Sequence, residues 1–241
     1  MSLIITSLAG FAVVIGALIV KLTRSTEKVS HFSLAMALGA MLGLLIFDLG
    51  PEVAECGQND GWLFTIIIIL VGTGLLALLD RFIPEHEDTN QNHDLGNAAH
   101  IGVISSLAII VHNIVEGMTV YNLLEADLHS GIFFAIGIVL HNIPMGMMLF
   151  STMGHQNRRE KYTVFGSVVI STFVGGLIMY LVSDHMSEFM TSSLIALAGG
   201  MILYIVIFEL IPHVIKTRSH LISIIGFAVG FAVVLAASFV S

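Results

Sequence analysis

Apolar residues in this chain come in long blocks separated by short polar breaks. Eight blocks can be counted, at roughly 2–21, 32–51, 62–80, 98–120, 131–150, 164–183, 193–212 and 220–240. Each is close to the about 20 residues a helix needs to cross the hydrocarbon core of a bilayer. Only helices and closed barrels satisfy their backbone polar groups there, and blocks of this length are helical ones. The pattern predicts an all-α integral membrane protein: one domain over residues 1–241 with eight transmembrane helices. The connections are too short to hold a separate soluble domain. No basic residue precedes the first block, so it lacks the charged start of a signal peptide and is expected to be a retained span.

Composition agrees with this reading. The chain is 56% hydrophobic and only 11% charged, against about 25% charged in a typical soluble domain. Its mean hydropathy is +0.95. The net charge of −8 argues against a nucleic-acid partner. Cys56 is the single cysteine, which excludes an internal disulfide and a cysteine-rich metal cluster.

The nine basic residues set the orientation. Lys21, Arg24, Lys28, Arg81, Arg158, Arg159, Lys161, Lys216 and Arg218 all fall in or beside the same alternate set of loops. The positive-inside rule makes those loops cytoplasmic and both termini external. This suits a multi-pass protein of the cell membrane, a bacterial inner membrane in particular. The outer loops carry Glu52, Glu55, Asp60, Glu125, Asp127, Asp184 and Glu188. Acidic mouths concentrate cations, but carboxylates also simply keep loops wet, and both readings stand.

Two internal echoes suggest an arrangement. The second span ends FDLGPE (Phe47 to Glu52), and the seventh ends FELIPH (Phe208 to His213). These spans run in opposite directions, as an inverted repeat requires. Between them, the fourth span carries HNIVEG (His112 to Gly117) and the fifth HNIPMG (His141 to Gly146). The order is three helices, a central pair, three helices: a 3+2+3 inverted repeat.

The central pair carries the chemistry. His112 and Glu116 are four apart, hence on one helix face, and Asn113 can share it. His141 and Met145 repeat the spacing, with Asn142 alongside. Two such helices face to face offer two imidazoles, a carboxylate, amide oxygens and a thioether, a donor set suited to a transition metal. A glutamate in mid-span is costly, on the order of 3 kcal/mol on insertion scales, and such residues mark ion paths. A histidine or glutamate alone in a span is more often hydrogen-bonded to a neighbour or neutral; the paired motifs favour metal. Pro144 has no N–H, which frees the Leu140 carbonyl and predicts an opened backbone. The polar loop 81–97 on the cytoplasmic side includes His86 and His93, with His100 just beyond. They are candidate transient metal contacts, and a polar linker is the alternative.

At these motifs the sequence resembles the ZIP family of zinc and iron transporters, in its ZupT-like bacterial branch. The likeness covers nearly the whole chain and includes DRFIP (Asp80 to Pro84) after the third span. It implies uptake of a divalent metal, zinc foremost, toward the cytoplasm through a site between spans 4 and 5. Fe2+, Mn2+ and Cd2+ are further candidates, with Cu+ behind them. By position, the resemblance implies His112, Asn113 and Glu116 as span 4 ligands, and His141 and Asn142 as span 5 ligands. It matches Met41 to a methionine of span 2 that contacts the metal, and Asp48 and Glu209 to acidic pathway positions. It implies no enzymatic cofactor. The partners are the metal ion and the bilayer, with a homodimer left open.

The motif departs from the family at three places. Val115 stands for a proline, Met145 for a glutamate that can bridge two metals, and Thr172 for a further acidic ligand in span 6. Fewer carboxylates make a single-metal site the expectation. Met145 either contacts the metal, softening the site, or merely packs in the span as most methionines do. An intramembrane metal enzyme needs an open metal position and a nearby base, and no clear base remains. A non-transporting metal sensor of the same fold is the other alternative.

Overall fold

The computed structural model describes residues 1–23, 27–82, 93–153, 158–182, 187–216 and 220–239. Among them there is no strand. The helices are α1 (Ser2–Gly10), α2 (Ala12–Leu22), α3 (Glu27–Phe47), α4 (Leu49–Cys56), α5 (Trp62–Phe82), α6 (His93–Ala126), α7 (Leu128–Thr152), α8 (Arg158–Val182), α9 (Glu188–Tyr204), α10 (Ile211–Lys216) and α11 (His220–Ser238). Two π-helical segments, Gly57–Gly61 and Ile205–Leu210, join α4 to α5 and α9 to α10. Helix α6 takes in the last residues of the polar loop at its N-terminus.

Seven helical runs of the described residues are long and apolar enough to cross a membrane. One of them, His31–Leu78, is 48 residues long and contains both the second and third apolar blocks. It is not one smooth helix. The turn breaks at Asp48, whose φ and ψ of −111° and −72° lie outside helical values. It changes again at Gly61, whose φ of 97° is ordinarily open only to glycine.

The two echoed segments share a physical cause. Pro51 and Pro212 cannot donate to the carbonyls of Phe47 and Phe208, four residues earlier. The helix is irregular next to each of those carbonyls. Asp48 sits at the α3–α4 break and Glu209 inside the second π-helical segment. Such segments are frequent at functional positions. Pro144 behaves differently: α7 continues through it, so the expected opening of the helix is not seen. The ring removes one hydrogen bond, and the tight packing of this stretch keeps the rest of the helix in line.

Four helix pairs make the most extensive contacts: α3 with α11, α6 with α8, α2 with α7, and α5 with α9. Glycine lets their backbones touch. A Cβ at Gly146 on α7 would collide with the Val13 carbonyl on α2, and one at Gly16 with the Ile143 carbonyl. On the other side, a Cβ at Gly117 on α6 would collide with the Thr172 carbonyl on α8, and one at Gly175 with the Ile114 carbonyl. The α5–α9 pair is further tied by hydrogen bonds from Thr73 to the Gly200 carbonyl and from Tyr204 to Asp80, at 3.0 and 2.8 Å. Large apolar side chains on α5 such as Leu63, Ile66 and Leu70 face outward, as a surface against hydrocarbon requires.

Candidate metal centre

Helices α6 and α7 pack against each other in the interior of the bundle. Their motifs are wholly helical, so the i, i+4 spacing does place His112 and Glu116 one above the other. His112, Asn113, Glu116, His141 and Asn142 are all buried, none more than 5% exposed. Glu116 Oε1 lies 2.8 Å from His112 Nε2 on its own helix and 2.6 Å from His141 Nε2 on the neighbouring one. The three ligand-type atoms lie within 4.8 Å of one another. His141 also hydrogen-bonds the backbone of Gly137, one turn back. A backbone partner of this kind orients an imidazole and leaves its other nitrogen for a metal. Two imidazoles and one carboxylate at this separation can coordinate zinc or a related first-row ion.

The two asparagines are turned the same way by different helices. Asn113 Nδ2 donates to the Val168 carbonyl on α8, and Asn142 Nδ2 to the Ala9 carbonyl on α1, each at 3.4 Å. A carbonyl accepts only from the amide nitrogen, so each amide oxygen points away from it. These backbone partners are invisible in the sequence. The only hint is the glycine closing each motif, which brings α8 and α2 close.

The remaining residues are distributed around this centre. Met41 and Met145 are fully buried in the main apolar cluster, with Leu44, Met148 and Met201. Thr172 is buried, with its side chain against Gly10 of α1. Asp48 is half-buried and lines a cleft together with His141, Phe134, Val234 and Ser238. Glu209 is buried, and its carbonyl is 3.2 Å from His213 Nδ1. It is not part of the His–Glu–His cluster. His86 lies outside the described residues. His93 and His100 fall on the first turns of α6, where side chains are outside the description.

A second, wider cleft is lined by Glu52, Glu55, Cys56, Asn122 and Thr191. It brings the acidic residues after the second span beside α6 and α9, a neighbourhood that no local motif announces.

Membrane-length apolar helices around a buried His–Glu–His cluster define a candidate intramembrane metal centre. The sequence model of the ZIP Zinc transporter family matches residues 83–238. The chain is 30% identical to the zinc transporter ZupT of Lysinibacillus sphaericus over 252 residues, 95% of this chain and 93% of that protein. It is 26% identical to the zinc transporter ZupT of Clostridium perfringens over 267 residues, 97% of this chain and 93% of that one. The match to the ZupT of Chlorobaculum parvum, at 28% identity, spans 134 residues, 48% of this chain and 50% of that protein. This protein belongs to the ZIP zinc transporter family.

Proposed function

We propose that the protein carries divalent transition metal, zinc foremost, across the cell membrane toward the cytoplasm, through a site between α6 and α7. The observation that carries the proposal is the buried three-way contact of His112, Glu116 and His141. An ionisable carboxylate inside an apolar bundle is costly, and such residues mark ion paths. Membership of a transporter family removes the enzyme reading. The donor set also includes Asn113 and Asn142, with thioethers from Met41 and Met145. Thr172 borders it. Asp48 forms the outer approach, since it shares a cleft with His141, and Glu209 the inner one. Iron, manganese and cadmium fit the same donors, and Cu+ would lean on the thioethers.

The architecture we infer has eight passes with both termini outside. The run His31–Leu78 counts as two, because 48 helical residues extend about 72 Å, over twice the hydrocarbon thickness. The packing supports an inverted repeat. Exchanging the first three spans with the last three, and α6 with α7, turns the α2–α7 pair into α8–α6 and the α3–α11 pair into α9–α5. The glycine contacts and the two asparagine hydrogen bonds obey the same exchange. The basic loops give the orientation and favour a bacterial inner membrane. All the proposed donors come from one chain, so a homodimer would frame the site without completing it.

Uptake into proteoliposomes, with zinc, iron, manganese, cadmium and copper(I) in parallel, tests the function. Zinc flux that vanishes in Glu116→Ala supports it. Metal binding without flux of any ion would favour a sensor.

A further inference from the structure

Glycine contacts match the two ends of the bundle residue by residue. A Cβ at Gly230 would meet the Met36 carbonyl as one at Gly72 would meet that of Leu197, and Gly39 stands to Phe227 as Gly200 stands to Ile69. On the central helices Gly146 stands to Val13 as Gly117 stands to Thr172. In that register His141 exchanges with His112, Asp48 with Glu209, Val234 with Leu76, Ser238 with Asp80, and Gly43 with Tyr204.

The two ends are filled unequally. Asp48, Gly137, Ile138, His141, Val234 and Ser238 line the outer cleft. At the other end, Leu76 and the counterparts of Gly137 and Ile138, which are Ala108 and Ile109, are fully buried in one apolar cluster with Tyr204. The wider cleft has the same asymmetry. Thr119, Asn122 and Ile195 line it, whereas their counterparts Met148, Ser151 and Leu34 are buried.

The largest difference between the ends is a side chain. Gly43 has none, and Tyr204 has a phenol. Helix α6 packs less extensively on α5 than α7 does on α11, so side chains rather than helix contact fill the inner end. The Tyr204 hydroxyl donates to Asp80 Oδ2 at 2.8 Å, and its ring lies 5.1 Å from that of Phe208. Hydrogen bonds to a carboxylate are among the stronger ones.

Resting on the transport reading above and its orientation, we infer that Tyr204 is the inner gate: its ring closes the route from His112 to the cytoplasm, and its hydrogen bond to Asp80 pins the ring there. The structure is then a state open outward and shut inward. Metal passes inward only after the phenol releases Asp80 and the ring turns aside.

The test reads accessibility and needs no zinc. In the full chain with Cys56→Ser, single cysteines are placed at Ser238→Cys in the outer cleft and at Ala108→Cys behind Tyr204. A charged maleimide is reacted with the purified, metal-free protein in detergent. Ser238→Cys should react quickly and Ala108→Cys slowly. Adding Tyr204→Phe keeps the ring and loses the bond. It should speed the Ala108→Cys reaction about tenfold or more, with the Ser238→Cys rate and the unfolding temperature nearly unchanged. Leu76→Cys is the second inner reporter should Ala108→Cys not fold. An unchanged inner rate in Tyr204→Phe would overturn the gate. Equal acceleration at both reporters would also overturn it, since the bond would then be a general tie between α5 and α9. Zinc uptake by the wild type is measured separately. If it is absent, the transport reading fails, and the labelling still decides whether Tyr204 closes this end of the bundle.

Discussion

His141 on α7 approaches Glu116 on α6 more closely than Glu116's own helix partner does, 2.6 Å against 2.8 Å for His112. The carboxylate therefore joins two helices, and its removal leaves two buried imidazoles without the oxygen they share. Glu116→Ala is expected to abolish zinc uptake in proteoliposomes. Glu116→Gln keeps the shape but not the charge, and should also lose uptake while remaining folded, which size-exclusion chromatography checks. Uptake by Glu116→Gln at the wild-type rate would remove the carboxylate from the mechanism.

Met145 occupies the position in HNIPMG that Glu116 occupies in HNIVEG, and it is fully buried. Met145→Glu would give the site a second carboxylate. A second charge in this interior is worth kcal/mol rather than tenths, so zinc affinity should rise by about tenfold or more. Metal analysis should find one zinc per wild-type chain and up to two in the variant. Two zinc ions between α6 and α7 of the wild type would contradict the single-metal reading.

Gly146 and Gly175 each touch the backbone of a neighbouring helix, whereas Gly74 has open space where a Cβ would go. Gly146→Ala and Gly175→Ala should each lose about 1–3 kcal/mol through overpacking. Gly74→Ala should be neutral, or stabilising by up to about 1 kcal/mol through helix propensity. Thermal unfolding in detergent reads all three, and a stable Gly146→Ala protein would mean that α2 and α7 can part without cost.

Asp48 lines the cleft that reaches His141. Its charge should raise the local metal concentration. Asp48→Asn is expected to slow initial zinc uptake at low zinc, and more at low ionic strength, where screening is weak. Equilibrium zinc affinity should fall far less than the rate. An unchanged rate across ionic strength would take Asp48 off the pathway.

Much of the site was legible in local spacing. A helix forces residues four apart onto one face, so HNIVEG by itself aligns His112 with Glu116. The likeness of HNIPMG pointed to the same geometry at His141. Pro144 misled, because a missing N–H removes one hydrogen bond and does not oblige a packed helix to open. The partners of Asn113 and Asn142 were not legible. Val168 and Ala9 contribute only backbone carbonyls, and any residue type supplies one.

The sequence by itself determined the membrane class, the helical content and the chemistry at the centre of the chain, because each follows from short-range pattern: apolar block length, basic loops and the turn of a helix. Tertiary structure alone decided that Glu116 reaches across to His141, and that the asparagine nitrogens turn to backbone carbonyls of α8 and α1. It also brought Thr172 to α1 and Asp48 to the cleft beside His141. Those relations join residues far apart in the chain, and they depend on which glycine meets which backbone when the helices pack.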